Sequence, residues 1–241
     1  MKRLTVLFFC LLVGCGFAAA QDALWISGSA VPGGTQQLTK ATVEDFKFAG
    51  QLNAGELRIM TTKKAGAKTV YLAPVAVDAN VANRGLSFRE TTNAEEAAWQ
   101  VSVSDPLYKF SLNTASKTLR GEIFQPWGEL FIAGGATEVG WKCEGKMLLM
   151  KQDVDNPCLW TWEGELKKHS DVEEPTSFKF QGQDRWNPKN LHPYEQGTDI
   201  LTNQQLRTGG ADTKWEISRN GYYRITIDLF HETVKAALLH E

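Results

Sequence analysis

The sequence predicts an all-β chain, two tandem immunoglobulin-like β-sandwich domains behind an N-terminal leader, and three observations carry that prediction: an internal repeat, a period-two alternation of apolar residues, and a high density of turn signals. Leu24-Trp25-Ile26-Ser27-Gly28 returns as Leu130-Phe131-Ile132-Ala133-Gly134, and Phe46-Lys47-Phe48-Ala49-Gly50-Gln51-Leu52 as Trp160-Thr161-Trp162-Glu163-Gly164-Glu165-Leu166. Trp99-Gln100-Val101-Ser102 returns as Trp215-Glu216-Ile217-Ser218, and Tyr108-Lys109-Phe110-Ser111-Leu112 as Tyr223-Arg224-Ile225-Thr226-Ile227. The offsets run 106, 114, 116 and 115 in chain order, so the copies are collinear with small loop insertions.

Residues 1–20 belong to neither copy. Lys2 and Arg3 precede a nearly continuous apolar run from Leu4 to Gly14, and Ala18-Ala19-Ala20 supplies the small residues of a signal-peptidase site. Two readings compete for this segment: cleavage after Ala20, or lipidation of Cys15 in the box Leu12-Val13-Gly14-Cys15. Either way an exported chain is expected, periplasmic, secreted or anchored by lipid at the outer membrane or cell surface. The apolar run is too short to span a bilayer.

Without the leader, Lys+Arg falls from 26 to 24 against 28 Asp+Glu, a formal charge of −4. No basic stripe is present to replace phosphate counterions, which speaks against a nucleic-acid partner. The remainder divides into copies 21–125 and 126–241, roughly 105 and 115 residues, each large enough for a core of its own. Cys143 and Cys158 both fall in the second copy and read equally as a disulfide of an exported protein or as two buried thiols.

Within each copy the strand segments place alternate residues on one face: Phe46/Phe48, Leu57/Ile59, Cys158/Trp160/Trp162, Phe178/Phe180 and Ile225/Ile227/Leu229. Pro32-Gly33-Gly34, Asn53-Ala54-Gly55, Asp105-Pro106, Asn156-Pro157, Thr208-Gly209-Gly210 and Asn220-Gly221 punctuate them and leave little room for helices. The stretch Ala94-Glu95-Glu96-Ala97-Ala98 has helical composition, but its counterpart Gly210-Ala211-Asp212 is a loop, so it reads as irregular. Gln125-Pro126-Trp127-Gly128 reads as a short linker.

The second copy resembles the repeated modules of the SusE/SusF family, surface glycan-binding proteins of Bacteroidetes polysaccharide-utilisation systems. The resemblance rests on Leu130 through Trp141, above all Gly135-Ala136-Thr137 and Gly140-Trp141, on Trp160-Thr161-Trp162-Glu163-Gly164-Glu165-Leu166, on Phe178-Lys179-Phe180, on Trp186, and on Gly221 through Asp228. It implies noncatalytic binding of a starch-like polysaccharide at the bacterial envelope, with an outer-membrane glycan-transport complex as partner. It also implies that Lys179 donates to sugar oxygens beside Trp141.

A sugar site needs flat apolar surfaces for the C–H faces of a pyranose, with donors and acceptors close by. Trp25, Trp99, Trp160, Trp162 and Trp215 lie on strands with aromatic counterparts in the other copy and read as core. Trp141 and Trp186 lie in loops, and neither has a counterpart: the first copy has Gly34-Thr35 where the second has Gly140-Trp141. A tryptophan present in one of two homologous frameworks is not required by the fold, so the pair is the candidate glycan platform. The competing reading is that they cover a sandwich end. Lys179 alternates with Phe178 and Phe180 and is expected to face outward; Arg185, Asn187, Tyr194 and Asp212 are polar candidates by neighbourhood alone.

Catalysis has little support, because glycoside hydrolysis needs two carboxylates facing across a cleft and the acidic residues here fall mostly in turns. His169, His192, His231 and His240 lack metal-ligand spacing, Asp153-Val154-Asp155-Asn156 runs into Pro157 where a calcium loop would continue, and Gly134-Gly135 lacks the continuation of a phosphate loop. No cofactor is expected. A structural or adhesive envelope protein is the alternative function.

Overall fold

The computed structural model describes residues 21–186, 188–202 and 204–241. The expectations for the leader, Ala20 and Cys15 among them, and for Asn187 lie outside these residues. The described chain is an all-β sandwich fold whose only helical element among those residues is a 3₁₀ turn, Glu95–Ala97, in the stretch expected to be irregular.

Residues 25–123 form ten strands in one sheet that wraps into two layers. One layer orders Gln36–Gln37, Trp25–Ser27, Gly55–Met60 and Tyr71–Pro74, with Trp99–Val101 also on Gly55–Met60; the other orders Thr118–Ile123, Asp105–Asn113, Asp45–Leu52 and Thr39–Lys40. Leu86–Thr91 joins the layers by pairing with Tyr71–Pro74 along one part and Thr118–Ile123 along another. Residues 131–240 repeat this pairing without the join. Phe131–Ala133 lies on Ser177–Gln181, which also pairs with Asn190–His192 and Trp215–Glu216, while Leu159–Leu166, Gly221–Asp228 and Thr233–His240 make the opposite layer. Here the strand corresponding to the joining one is only Arg207–Thr208, cut short by Gly209 and Gly210 with φ of 71° and 91°, so the layers stay separate sheets.

The register repeats as well. Ile26 pairs with Ile59 and Leu57 with Trp99; Ile132 pairs with Phe180 and Phe178 with Trp215. Alternation puts Leu24, Ile26, Phe46, Leu57, Ile59 and Trp99 in one core, and Leu130, Ile132, Trp160, Phe178, Phe180 and Trp215 in another. Each such apolar side chain contributes about 1.5–3 kcal/mol by leaving water. Tyr108 donates from its hydroxyl to the Val103 carbonyl at 2.8 Å and Tyr223 to that of Arg219 at 2.6 Å, the same tyrosine corner twice, which is a mark of immunoglobulin-like sandwiches.

Two residues depart from the sequence reading, and two cysteines take one of its alternatives. Trp25 is not in the core: Leu24 and Ile26 take the inward positions, and the indole stands half-buried on the outer face against Met60 and Tyr71 with Lys63 Nζ 5.5 Å from its ring. Trp127, read as linker, is buried in the second core, which makes the junction an anchored segment rather than a spacer. Cys143 and Cys158 are free thiols. Cys158 faces the second core, whereas Cys143 packs into a satellite cluster with Phe131, Ala133 and Met147.

Candidate functional site

Trp141 owes its position to a tight double turn. Thr137 N–H donates to the Gly134 carbonyl and Gly140 N–H to that of Thr137, at 2.9 and 3.1 Å, and Gly140 takes φ of 64°. The first copy makes the same turn: Val31 N–H donates to Gly28 and Gly34 N–H to Val31, both at 3.1 Å, with Gly34 at φ 92°. The next residue is exposed Thr35 in one copy and Trp141 in the other. The backbone therefore forms this turn without an aromatic side chain to follow it. Trp141 is half-buried, its indole N–H donating to the Glu173 carbonyl at 2.8 Å, which fixes the ring plane.

Trp186 comes from the loop after Ser177–Gln181. Buried Gln183 pins that loop, its Nε2 donating to the carbonyls of Arg185 and Lys189 at 3.1 and 3.3 Å and its Oε1 accepting from Lys189 N–H at 3.1 Å. Asp184 ties the loop to the one beyond Trp141, its carboxylate accepting from the amides of Gly145 and Met147 and its carbonyl from Glu144 N–H. With both loops stitched together, the two indoles stand with ring centres 6.2 Å apart and planes at 49°, and Trp186 remains 36% exposed. The two tilted rings form one partly exposed aromatic patch.

Between the rings and the sheet lies a cavity of about 500 Å³, lined by Trp141, Trp186, Lys179, His192, Asp212 and Lys214 together with Glu173, Glu174, Asn190 and Gly210. That is within the ~300–1,000 Å³ of small-molecule sites. Lys179 does point away from the core as the alternation requires, but the loops cover it and it is only 7% exposed, so it is no solvated surface lysine. Its Nζ donates to Asp212 Oδ1 at 2.7 Å and stands 4.9 Å from the Trp186 ring centre. Lys214 lies 3.5 Å from Asp212 Oδ2 and 3.2 Å from Glu174 Oε1, with its Nζ 5.6 Å from the Trp141 ring centre. Charges of alternating sign thus run beside the aromatic pair, and each ammonium also makes a cation–π contact.

Burial alone would push the Asp212 carboxyl up, but its hydrogen bond from Lys179 and the charges of Lys179 and Lys214 outweigh this and hold it below the usual carboxylate range. His192 is almost wholly enclosed, and burial pushes its imidazole down. Its Nδ1 lies 2.8 Å from the Thr213 carbonyl, which can only accept, so Nδ1 carries the proton and Nε2 is the acceptor of the neutral ring.

Of the residues singled out from the sequence, the fold brings together Trp141, Trp186, Lys179 and Asp212 around this cavity. Arg185 is exposed beside Trp186 and is not part of the lining. Tyr194 lies elsewhere, between Lys47 and Arg207, whose charged groups stand 6.0 and 5.6 Å from its ring centre. Its burial, followed by the charge of Glu232, pushes the phenol above its usual range. Sequence reasoning missed His192, Lys214, Glu174 and the two loop-setting residues Gln183 and Asp184. Only Gln183 and Asp184 had a local signal, their place directly in the Trp186 loop.

No protein-family model matches the chain, and no curated protein does. Among solved structures it is similar to the crystal structure of SusF from Bacteroides thetaiotaomicron, with 11% sequence identity and a TM-score of 0.36 over 90% of this chain. The chain spans about half the length of that structure, 49%.

Proposed function

We propose that this protein binds a starch-like polysaccharide without catalysis at the bacterial cell envelope, through the Trp141–Trp186 surface of its second sandwich. One observation carries the reading: two turns of matching hydrogen bonding end in exposed Thr35 in one copy and in Trp141 in the other, where a second unmatched tryptophan meets it at 6.2 Å. Sugar rings stack on the two indoles, and the Lys179, Lys214 and Asp212 groups exchange hydrogen bonds with hydroxyls. The copies 21–125 and 126–241 are assigned as two domains, the first a spacer and the second the binding module.

Residues 1–20 are assigned as an export leader. Mass spectrometry of the mature protein distinguishes an N-terminal Gln21 from a diacylated Cys15, and with it a freely diffusing protein from a lipid-anchored one beside an outer-membrane glycan transporter. Affinity electrophoresis of residues 21–241 in gels containing amylopectin tests the binding itself. Retardation is expected, and migration equal to that in a plain gel would refute the proposal.

A further inference from the structure

A second cavity, of about 270 Å³, lies where the two halves of the chain meet and shares no lining residue with the first. Its floor is the outer face of the first sandwich. Strand pairing sets Lys47, Ser111 and Arg120 in one row across three strands, and Ala49, Lys109 and Glu122 in the next. Its roof is Arg207, Thr208 and the turn Phe230 through Thr233 from the second half. Lys47 and Lys109 point away from their own core yet are only 5% and 8% exposed, because the second half covers them. Lys47 Nζ donates to the carbonyls of Leu206 and Glu232 at 3.3 and 2.9 Å, and Lys109 Nζ to the Leu229 carbonyl and Glu232 Oε1, both at 3.2 Å.

The charges around this cavity do not balance. Four cationic side chains, Lys47, Lys109, Arg120 and Arg207, face two carboxylates, Glu122 and Glu232. Glu122 is further drawn on by Arg84 at 2.6 Å, and the nearby carboxylates of Asp45 and Asp228 are engaged by Thr42 and Asn113 and by His231. Burial, reinforced by the charge of Lys109, pushes the Lys47 ammonium down to about 8 against the opposing pull of Glu232 and Asp45. For Glu232, burial works against ionisation, but Lys109 and Lys47 outweigh it and hold the carboxyl below its usual range.

Two guanidinium groups stand ready for the missing counter-charge. Among the described residues neither Arg120 nor Arg207 pairs with a carboxylate: Arg120 Nη1 reaches only the Thr208 carbonyl at 3.4 Å, and Arg207 Nη2 the Ala211 carbonyl and Thr213 hydroxyl at 3.5 and 3.4 Å. Arg207 Nε is buried with no hydrogen-bond partner among the described residues. Both groups press on one glycine turn. A Cβ on Gly209 would lie 3.3 Å from Arg120 Nη1, and one on Gly210 would lie 3.2 Å from the guanidinium carbon of Arg207. A guanidinium from each half thus lies against the same glycine turn, and both arginines line the cavity.

We propose that this junction cavity binds a small doubly charged oxyanion, either a free sulfate or phosphate ion or the phosphate ester of a sugar, gripped by Arg120 from one half and Arg207 from the other. Planar guanidinium groups suit such an anion through paired N–H donors. Two negative charges neutralise the excess of the lining, and an anion held from both sides fastens one half of the chain to the other.

Titration calorimetry of residues 21–241 at pH 7 with inorganic sulfate, against chloride at matched ionic strength, tests this. Saturable binding of one sulfate is expected, weakened about tenfold or more by Arg120→Gln and by Arg207→Gln and unchanged by Trp141→Ala. Arg120 is exposed, so Arg120→Gln retains the fold and decides the matter if Arg207→Gln does not. Glucose 6-phosphate forms the second arm: tighter binding than inorganic sulfate identifies a saccharide as the source, and equal or weaker binding identifies the free ion. No saturable heat with either ligand, or an Arg120→Gln affinity equal to that of the unsubstituted protein, overturns the proposal. Because the two cavities share no residue, this outcome is independent of starch binding.

Discussion

Lys179 and Asp212 meet at 2.7 Å, a buried ammonium held by a carboxylate that is itself 60% exposed at the side chain. The ammonium has been carried out of water by the loops that bring Trp186 over it, and Asp212 is its only carboxylate partner among the described residues. Removing that partner leaves a covered charge uncompensated, which is costlier than losing an exposed pair. Asp212→Asn is expected to lower unfolding free energy by about 1 kcal/mol at pH 7, discounted for the solvent around Asp212, and to weaken glycan binding by loosening Lys179. Urea denaturation and affinity electrophoresis of the same variant measure both.

Acid should act in two stages. His192 is buried neutral with its pKa lowered from the ordinary 6.5, so on acidification the unfolded chain takes up this proton first and stability declines from about pH 6.5 downward. Asp212 has its pKa lowered from the ordinary 3.8, so its stabilising contribution is full above that pH and is lost as the pH falls through the folded-state value below it. His192→Gln should flatten the first stage and Asp212→Asn the second. Stability curves recorded from pH 7 to pH 3 that are identical in all three proteins would contradict this assignment.

Replacing Trp141 with threonine, the residue of the first copy, should leave folding intact because the same turn already carries Thr35 there. Each stacking indole contributes on the order of 1–2 kcal/mol, so Trp141→Thr or Trp141→Ala should weaken binding about tenfold, and the double change with Trp186→Ala should abolish retardation in a glycan gel. Residues 21–125 alone should not bind. Retained binding by the double variant would assign the glycan to another surface.

The repeated aromatic-x-glycine motif has a packing cause that predicts unequal costs. A Cβ on Gly164 would lie 2.3 Å from the ring of Trp162, whereas one on Gly50 would lie 3.1 Å from the ring of Phe48. Trp162 is locked in the core, so Gly164→Ala forces it off its rotamer at about 1–3 kcal/mol, and Gly50→Ala should cost clearly less. Thermal melting of the two single variants compares them directly.

Both thiols of residues 21–241 should be titratable. Burial, with a smaller contribution from the charge of Asp228, pushes the Cys158 thiol up, so in the native protein it should resist alkylation at pH 8 while half-buried Cys143 reacts faster. After unfolding without reductant, mass spectrometry should find two alkylated cysteines; an unmodified pair lighter by two hydrogens would show a disulfide instead.

The local sequence determined the strands, because alternation and turn chemistry act between neighbours: Phe46/Phe48, Leu57/Ile59 and Phe178/Phe180 had to face one way whatever packed against them. It also determined the turn before Trp141, written as glycines in both copies, and marked the two tryptophans that the other copy lacks. Outward was legible for Lys179, Lys47 and Lys109, but buried was not, since what covers an outward side chain comes from residues far along the chain: the Trp186 loop over Lys179, and residues 206–232 over the other two. Trp25 took the outer face because its neighbours Leu24 and Ile26 occupy the inward positions of an all-apolar run, whereas Tyr194, near the site in sequence, went to the junction between the halves through long-range packing. His192, Lys214 and Glu174 became site residues only when strands and loops distant in sequence were laid side by side. Periodicity fixes the direction of a side chain, whereas its solvent exposure and its charge partners are set by long-range packing.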